Sequence, residues 1–119
     1  MNLILYGTAS DKAELRKALS ALPAWCYRTV YIADYQEYDS YVAGLGEGTP
    51  DCVVVTMNEA DGMEGVIAAR HADEHVPVLW FSDDKGFGVQ SYRLGCAYFH
   101  QKPIRPEILS VAMSKCGIP

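Results

Sequence analysis

The chain has 119 residues, enough for one domain around a single core. Half of them are hydrophobic and 21% are charged, which is ordinary for a globular protein. A net charge of −5 argues against a broad phosphate-binding or nucleic-acid-binding surface, and the longest apolar runs are strand-sized, so no membrane span is expected.

Residues 3–6 form an apolar run ending at Gly7 and read as a buried first strand. Ser10 or Asp11 can cap a first helix, with Leu15, Leu19 and Leu22 at helical spacing until Pro23 stops it. Residues 28–33 are rich in β-formers and predict a second strand. A second helix is expected over 35–45, ended by Gly44, Gly46 and Gly48 as a flexible turn. Pro50 and Asp51 lead into the most strand-like run, 52–57. A loop over 58–62 and a helix over 63–74, with Val66, Ile67 and Ala69 inward, come next. Pro77 opens a fourth strand over 78–82. A weak helix over 89–94 is loosened by Gly86 and Gly88, and residues 96–101 predict a fifth strand. Pro106 starts a last helix with the apolar stripe Ile108, Leu109, Ala112 and Met113.

Strands alternating with helices predict an α/β fold, a doubly wound five-stranded parallel sheet covered on both faces. The order 2-1-3-4-5 puts any site at the carboxyl ends of strands one and three.

Four segments carry a family resemblance. Pro50 and Asp51 precede an apolar strand, and Gly62-Met63-Glu64-Gly65 stands at the third helix. The fourth strand ends at Ser82, and Gly95 to Ile104 contains the pair Lys102-Pro103. Together these resemble the CheY-like receiver domain of bacterial response regulators, sharply from Pro50 to Ile104 and in element order over the rest. The Ser82 to Lys102 spacing, with Tyr92-Arg93-Leu94-Gly95, is most similar to receivers that precede a LytTR-type DNA-binding domain.

The resemblance implies a site for phosphoryl transfer: an aspartate nucleophile after strand three, acidic residues after strand one to hold Mg²⁺, and a hydroxyl and a lysine for the phosphoryl oxygens. Here the aspartate position falls on Thr56, or on Met57 if the loop carries one insertion. A threonine hydroxyl stays protonated without a strong base beside it. The acidic positions fall on Tyr6 and Gly7, and Asp11 lies too far along and is read as a helix start. Ser82 and Lys102 remain, and the switch aromatic falls on Phe99, which has no hydroxyl. Tyr6, Gly7, Thr56, Met57, Ser82 and Lys102 thus form a degenerate pocket. Lys102 is expected to pair with Glu59 or Asp61 or to reach water; a non-phosphate ligand on Lys102, Ser82 and Thr56 is the sharper alternative.

Other patterns are weaker. His71, Glu74 and His75 fit H-x-x-E-H, but the stretch ends a helix just before Pro77 and reads as a solvated terminus. Tyr35, Tyr38 and Tyr41 recur every three residues and read as a partly buried helix face. Residues 5–10 look like the start of a flavodoxin phosphate loop, but Asp11 places a negative charge where FMN phosphate would bind. Cys26, Cys52, Cys96 and Cys116 are far apart in sequence and form no C-x-x-C, so reduced thiols in a cytoplasmic protein are expected, with no signal peptide and Cys52 in the core.

The expected function is therefore a phosphorylation-independent receiver-like module, not an enzyme, with no cofactor and no metal. Its partner is another protein or a second copy, held on the face formed by helix four, strand five and helix five: Phe87, Gln90, Arg93, Tyr98, Phe99, His100, Arg105 and Ser110. It is either the regulatory domain of a bacterial transcriptional regulator, with DNA bound only by a further domain after Pro119, or a free-standing adaptor. The alternative of another class is an FMN-binding electron carrier.

Overall fold

The computed structural model describes residues 1–23, 25 and 28–117. Among them the elements run β1 (Asn2–Tyr6), α1 (Ala9–Ser20), β2 (Tyr31–Tyr35), α2 (Tyr38–Leu45), β3 (Cys52–Val55), α3 (Glu59–Ala72), β4 (Val78–Ser82), a 3₁₀ turn (Lys85–Phe87), α4 (Gly88–Arg93), β5 (Tyr98–Gln101) and α5 (Pro106–Lys115). The five strands pair in parallel in the order β2-β1-β3-β4-β5, as the alternating pattern predicts.

Strand alternation sorts the core into two layers. Leu3, Leu5, Val54, Leu79 and Phe81 pack against Leu15 and Leu19 of α1 and Leu109, Ala112 and Met113 of α5. Ile4, Tyr6, Val53, Val55, Val78 and Trp80 pack against Tyr41 and Leu45 of α2 and Val66 and Ala69 of α3. β3 and β4 are buried along their whole length, which is why they read as continuous apolar runs.

Several boundaries differ from the sequence reading. β2 runs later than 28–33 because residues 1–6 set its register, with Asn2 opposite Tyr31 and Tyr6 opposite Tyr35. Tyr35 is therefore a strand residue, and the three tyrosines do not share a helix face. Tyr41 is fully buried, stacks on Tyr6 with centroids 4.4 Å apart, and donates its hydroxyl hydrogen bond to the Gly65 carbonyl at 2.7 Å. A Cβ on Gly65 would stand 2.6 Å from the Tyr6 ring, so this glycine admits the tyrosine pair. Gly44 lies inside α2 against the Tyr35 ring and is no part of a flexible turn. α3 begins at Glu59, so most of the expected loop over 58–62 is helical; Asn58 precedes it in extended conformation. Ile67 is only partly buried, and Ala68 takes the inward place. β3 stops at Val55 and β5 starts at Tyr98, each two residues short of the predicted ends. His71 and His75 are exposed on either side of the end of α3 and share no helix face.

Candidate functional site

The carboxyl ends of β1, β3, β4 and β5 converge on one edge of the sheet and carry Gly7, Thr56, Ser82 and Lys102. Within it, one atom collects most of the interactions: Oδ2 of Asp11. The Thr56 hydroxyl donates to it at 2.9 Å, the Lys102 ammonium at 3.4 Å, and the Thr8 backbone N–H at 3.5 Å. The Asp11–Lys102 ion pair is mostly sheltered, with side chains 13% and 16% exposed.

The local sequence explains why Asp11 gets there. Thr8, and not Ser10 or Asp11, is the N-cap of α1; its hydroxyl accepts from the Asp11 N–H at 3.1 Å. Asp11 is the third helical residue, and in a capping box that side chain turns back toward the cap. The cap lies directly after β1, so turning back means turning over the strand ends. The expectation that Asp11 lies too far along is thus overturned, as is the pairing of Lys102 with Glu59 or Asp61. The spacing Thr8-x-x-Asp11 was the signal available in the sequence.

Gly7 is in the pocket and is required there: a Cβ would sit 1.8 Å from Thr56 Oγ1. Thr56 is fully buried. Tyr6 and Met57 are not in the pocket. Tyr6 belongs to the layer packed by α2 and α3, and Met57 packs partly against that same layer. The alternation that brings Leu5 and Thr56 to one side of the sheet takes Tyr6 and Val55 to the other. Ser82 is fully buried, and its hydroxyl oxygen accepts from the Asp84 N–H at 3.2 Å, so it serves the loop after β4. Its carbonyl accepts from the Lys102 N–H at 2.8 Å, which seats the lysine beside β4.

The loops around the pocket are tied together. Asn58 Nδ2 donates to Asp83 Oδ2 at 2.8 Å, and the Asp83 N–H returns a bond to Asn58 Oδ1 at 3.0 Å. Gln101 Nε2 donates to the Asp83 carbonyl at 3.0 Å. Among the described residues no group of three or more His, Cys, Asp or Glu side chains is placed to hold a metal ion. The carboxylate that accepts from the Thr56 hydroxyl also accepts from Lys102 and from the Thr8 N–H.

In the layer packed by α2 and α3, Trp80 is fully buried between Phe87 and Phe99, with ring centroids 5.5 and 5.2 Å away. Phe99 meets Trp80 edge to face and is half-buried. Phe87, Tyr98 and His100 are also half-buried, while Gln90, Arg93, Arg105 and Ser110 are exposed. The sequence reading overlooked Tyr92 and Val89 on α4, which are 86% and 60% exposed. No helix among the described residues is long and apolar enough to cross a membrane.

No protein-family model matches the chain, and no curated protein matches it in sequence. Solved structures do. A response regulator receiver protein from Burkholderia phymatum superposes with a TM-score of 0.74 at 21% identity, over 99% of this chain and 96% of that one. The chemotaxis response regulator CheY4 of Vibrio cholerae gives 0.73 at 16% identity, over 97% and 96%. The pilus assembly protein CpaE from Caulobacter crescentus gives 0.73 at 14% identity, over 95% of each. Coverage is nearly complete in both directions while identity is low, so what is shared is the fold: that of the CheY-like response-regulator receiver domain.

Proposed function

We propose that the chain is a phosphorylation-independent receiver-type signalling module that acts by binding a protein and not by catalysis. The observation that carries this reading is the occupancy of Asp11. Phosphoryl transfer in this fold needs a carboxylate nucleophile at the end of β3, further carboxylates for a divalent cation, and a lysine for the phosphoryl oxygens. Here β3 is followed by Thr56, and the nearby carboxylate is bonded to Thr56 and Lys102. The pair supplies its own anion to the lysine.

Asp11 also weighs against the FMN alternative, since its carboxylate stands at the start of α1 and the Thr8 hydroxyl is used in the cap. The proposed docking surface is α4, β5 and the exposed side of α5, with Tyr92 and Val89 added to the residues read from sequence. A regulatory half of a transcription regulator and a free-standing adaptor both fit this surface, and partner binding controls either one.

The test is incubation with acetyl phosphate and Mg²⁺ followed by intact-mass measurement. The expected result is an unchanged mass. A stable gain of one phosphoryl group on Asp11 or Thr56 refutes the reading.

A further inference from the structure

Two cysteines that the sequence separates widely are neighbours in space. Cys52 is the first residue of β3 and is fully buried; Cys116 caps the C-terminus of α5 and is partly exposed. Their sulfur atoms are 3.8 Å apart, in van der Waals contact. We propose that Cys52 and Cys116 form an oxidisable dithiol, a modification site at which a hydroperoxide drives an intramolecular disulfide between β3 and α5.

The two thiols are not equivalent. Cys116 is the one solvent reaches, and its hydrogen-bonding contact with Cys52 lowers its pKa from the ordinary thiol value against the opposing effect of burial. Cys52 is held well above the ordinary thiol range by that same bond and by burial. Cys116 is therefore the attacking sulfur and Cys52 the resolving one. The thiolate attacks the terminal oxygen of the hydroperoxide; an S–O bond forms, the O–O bond breaks, and the alkoxide leaves with a proton as alcohol. Cys116 is then a sulfenic acid. The Cys52 sulfur attacks the Cys116 sulfur; the S–S bond forms, the S–O bond breaks, and hydroxide leaves with the Cys52 proton as water. Two thiols and one hydroperoxide give one disulfide, one alcohol and one water.

Bond formation brings the sulfurs to about 2.05 Å. The approach is feasible because Cys116 sits where α5 ends. Its N–H is shared between the Ala112 and Met113 carbonyls at 3.2 Å each, and Gly117 follows with φ +73°. Cys96 is a built-in control. It packs against the other layer of the core, and burial pushes its thiol up to about 12, so it stays protonated and inert.

The experiment treats the whole chain with hydrogen peroxide, blocks remaining thiols by alkylation, and reads the intact mass and a non-reducing peptide map. Before alkylation the expected product is lighter by two hydrogens, about 2 Da, and after it carries two fewer alkyl groups than the reduced chain, with Cys52 linked to Cys116 and full reversal by dithiothreitol. The link persists in Cys96→Ser and disappears in Cys116→Ser, whose circular dichroism reports that it still folds. Oxidation is expected to raise the melting temperature of the wild type and not of Cys116→Ser. Accumulation of sulfinic acid on Cys116 without a cross-link, unreacted thiols, or a link through Cys26 or Cys96 overturns the proposal. Each outcome leaves the phosphorylation-independent reading untouched, because neither sulfur lies in the Asp11 site.

Discussion

Asp11 and Lys102 stand 91 residues apart in the chain and 3.4 Å apart in space. The contact joins the start of α1 to the end of β5 across the mouth of the sheet. Both side chains are largely removed from water, so deleting one leaves the other charge poorly compensated. Asp11→Asn is expected to cost about 1–3 kcal/mol, part of it from the weakened capping box. Lys102→Met is expected to cost less, and the double variant less than the sum of the two. Urea denaturation of the four proteins measures this; strictly additive costs mean that the two charges do not support each other.

Gly7 and Thr56 form a second coupled pair. Alanine at position 7 drives its Cβ into Thr56 Oγ1, and both positions are buried. Gly7→Ala is expected to destabilise by about 1–3 kcal/mol as overpacking. Thr56→Ala alone costs about 1 kcal/mol for the lost hydrogen bond to Asp11. In the Thr56→Ala background Gly7→Ala becomes cheaper, because the clashing oxygen is gone. An undiminished cost there places the strain elsewhere.

These pairs mark where the sequence was legible. Element order and sheet order followed from apolar runs separated by glycine, proline and helical spacing, because a sheet buried on both faces writes its strands as unbroken hydrophobic stretches. Lys102, Thr56 and Gly7 are legible as neighbours because they lie at strand ends that the topology brings together. Tyr6 and Met57 were misplaced by the same logic: position along a strand fixes the edge, but alternation fixes the side, and one residue of offset turns a side chain into the core. Asp11 was missed because its helix-capping role is complete on local evidence, and only the path of β1 into α1 shows its second role. The Cys52–Cys116 contact leaves no local trace at all.

Tyr41 makes the stability of the fold sensitive to alkaline pH. Burial is the largest cause raising its pKa, and its hydroxyl is held by the Gly65 carbonyl. The unfolded chain ionises its tyrosines at about 10, whereas folded Tyr41 keeps its proton. The folded state therefore binds more protons, and stability falls as pH rises above that value. Tyr41→Phe is expected to lose about 1 kcal/mol at neutral pH, from the missing hydrogen bond. Between pH 10 and 12 the deficit narrows, since the phenylalanine has no proton to lose. Parallel curves in denaturant titrations at pH 7, 10 and 11.5 contradict this assignment.

Tyr92 separates stability from binding. Its ring is 86% exposed on a short helix, next to Val89 at 60%, so neither contributes much to the core. Tyr92→Ser is expected to shift unfolding free energy by no more than about 0.5 kcal/mol. If α4 is the docking surface, the same change weakens association with a partner or a second copy by about 2 kcal/mol or more, the loss typical of an aromatic anchor. Sedimentation velocity across a micromolar concentration series reads the self-association arm. A wild-type chain that stays monomeric throughout excludes the homodimer, and a dimer indifferent to Tyr92→Ser moves the interface off α4. The expected dimer, lost on substitution at unchanged melting temperature, cannot come from a packing defect, because a residue this exposed has almost no packing to lose.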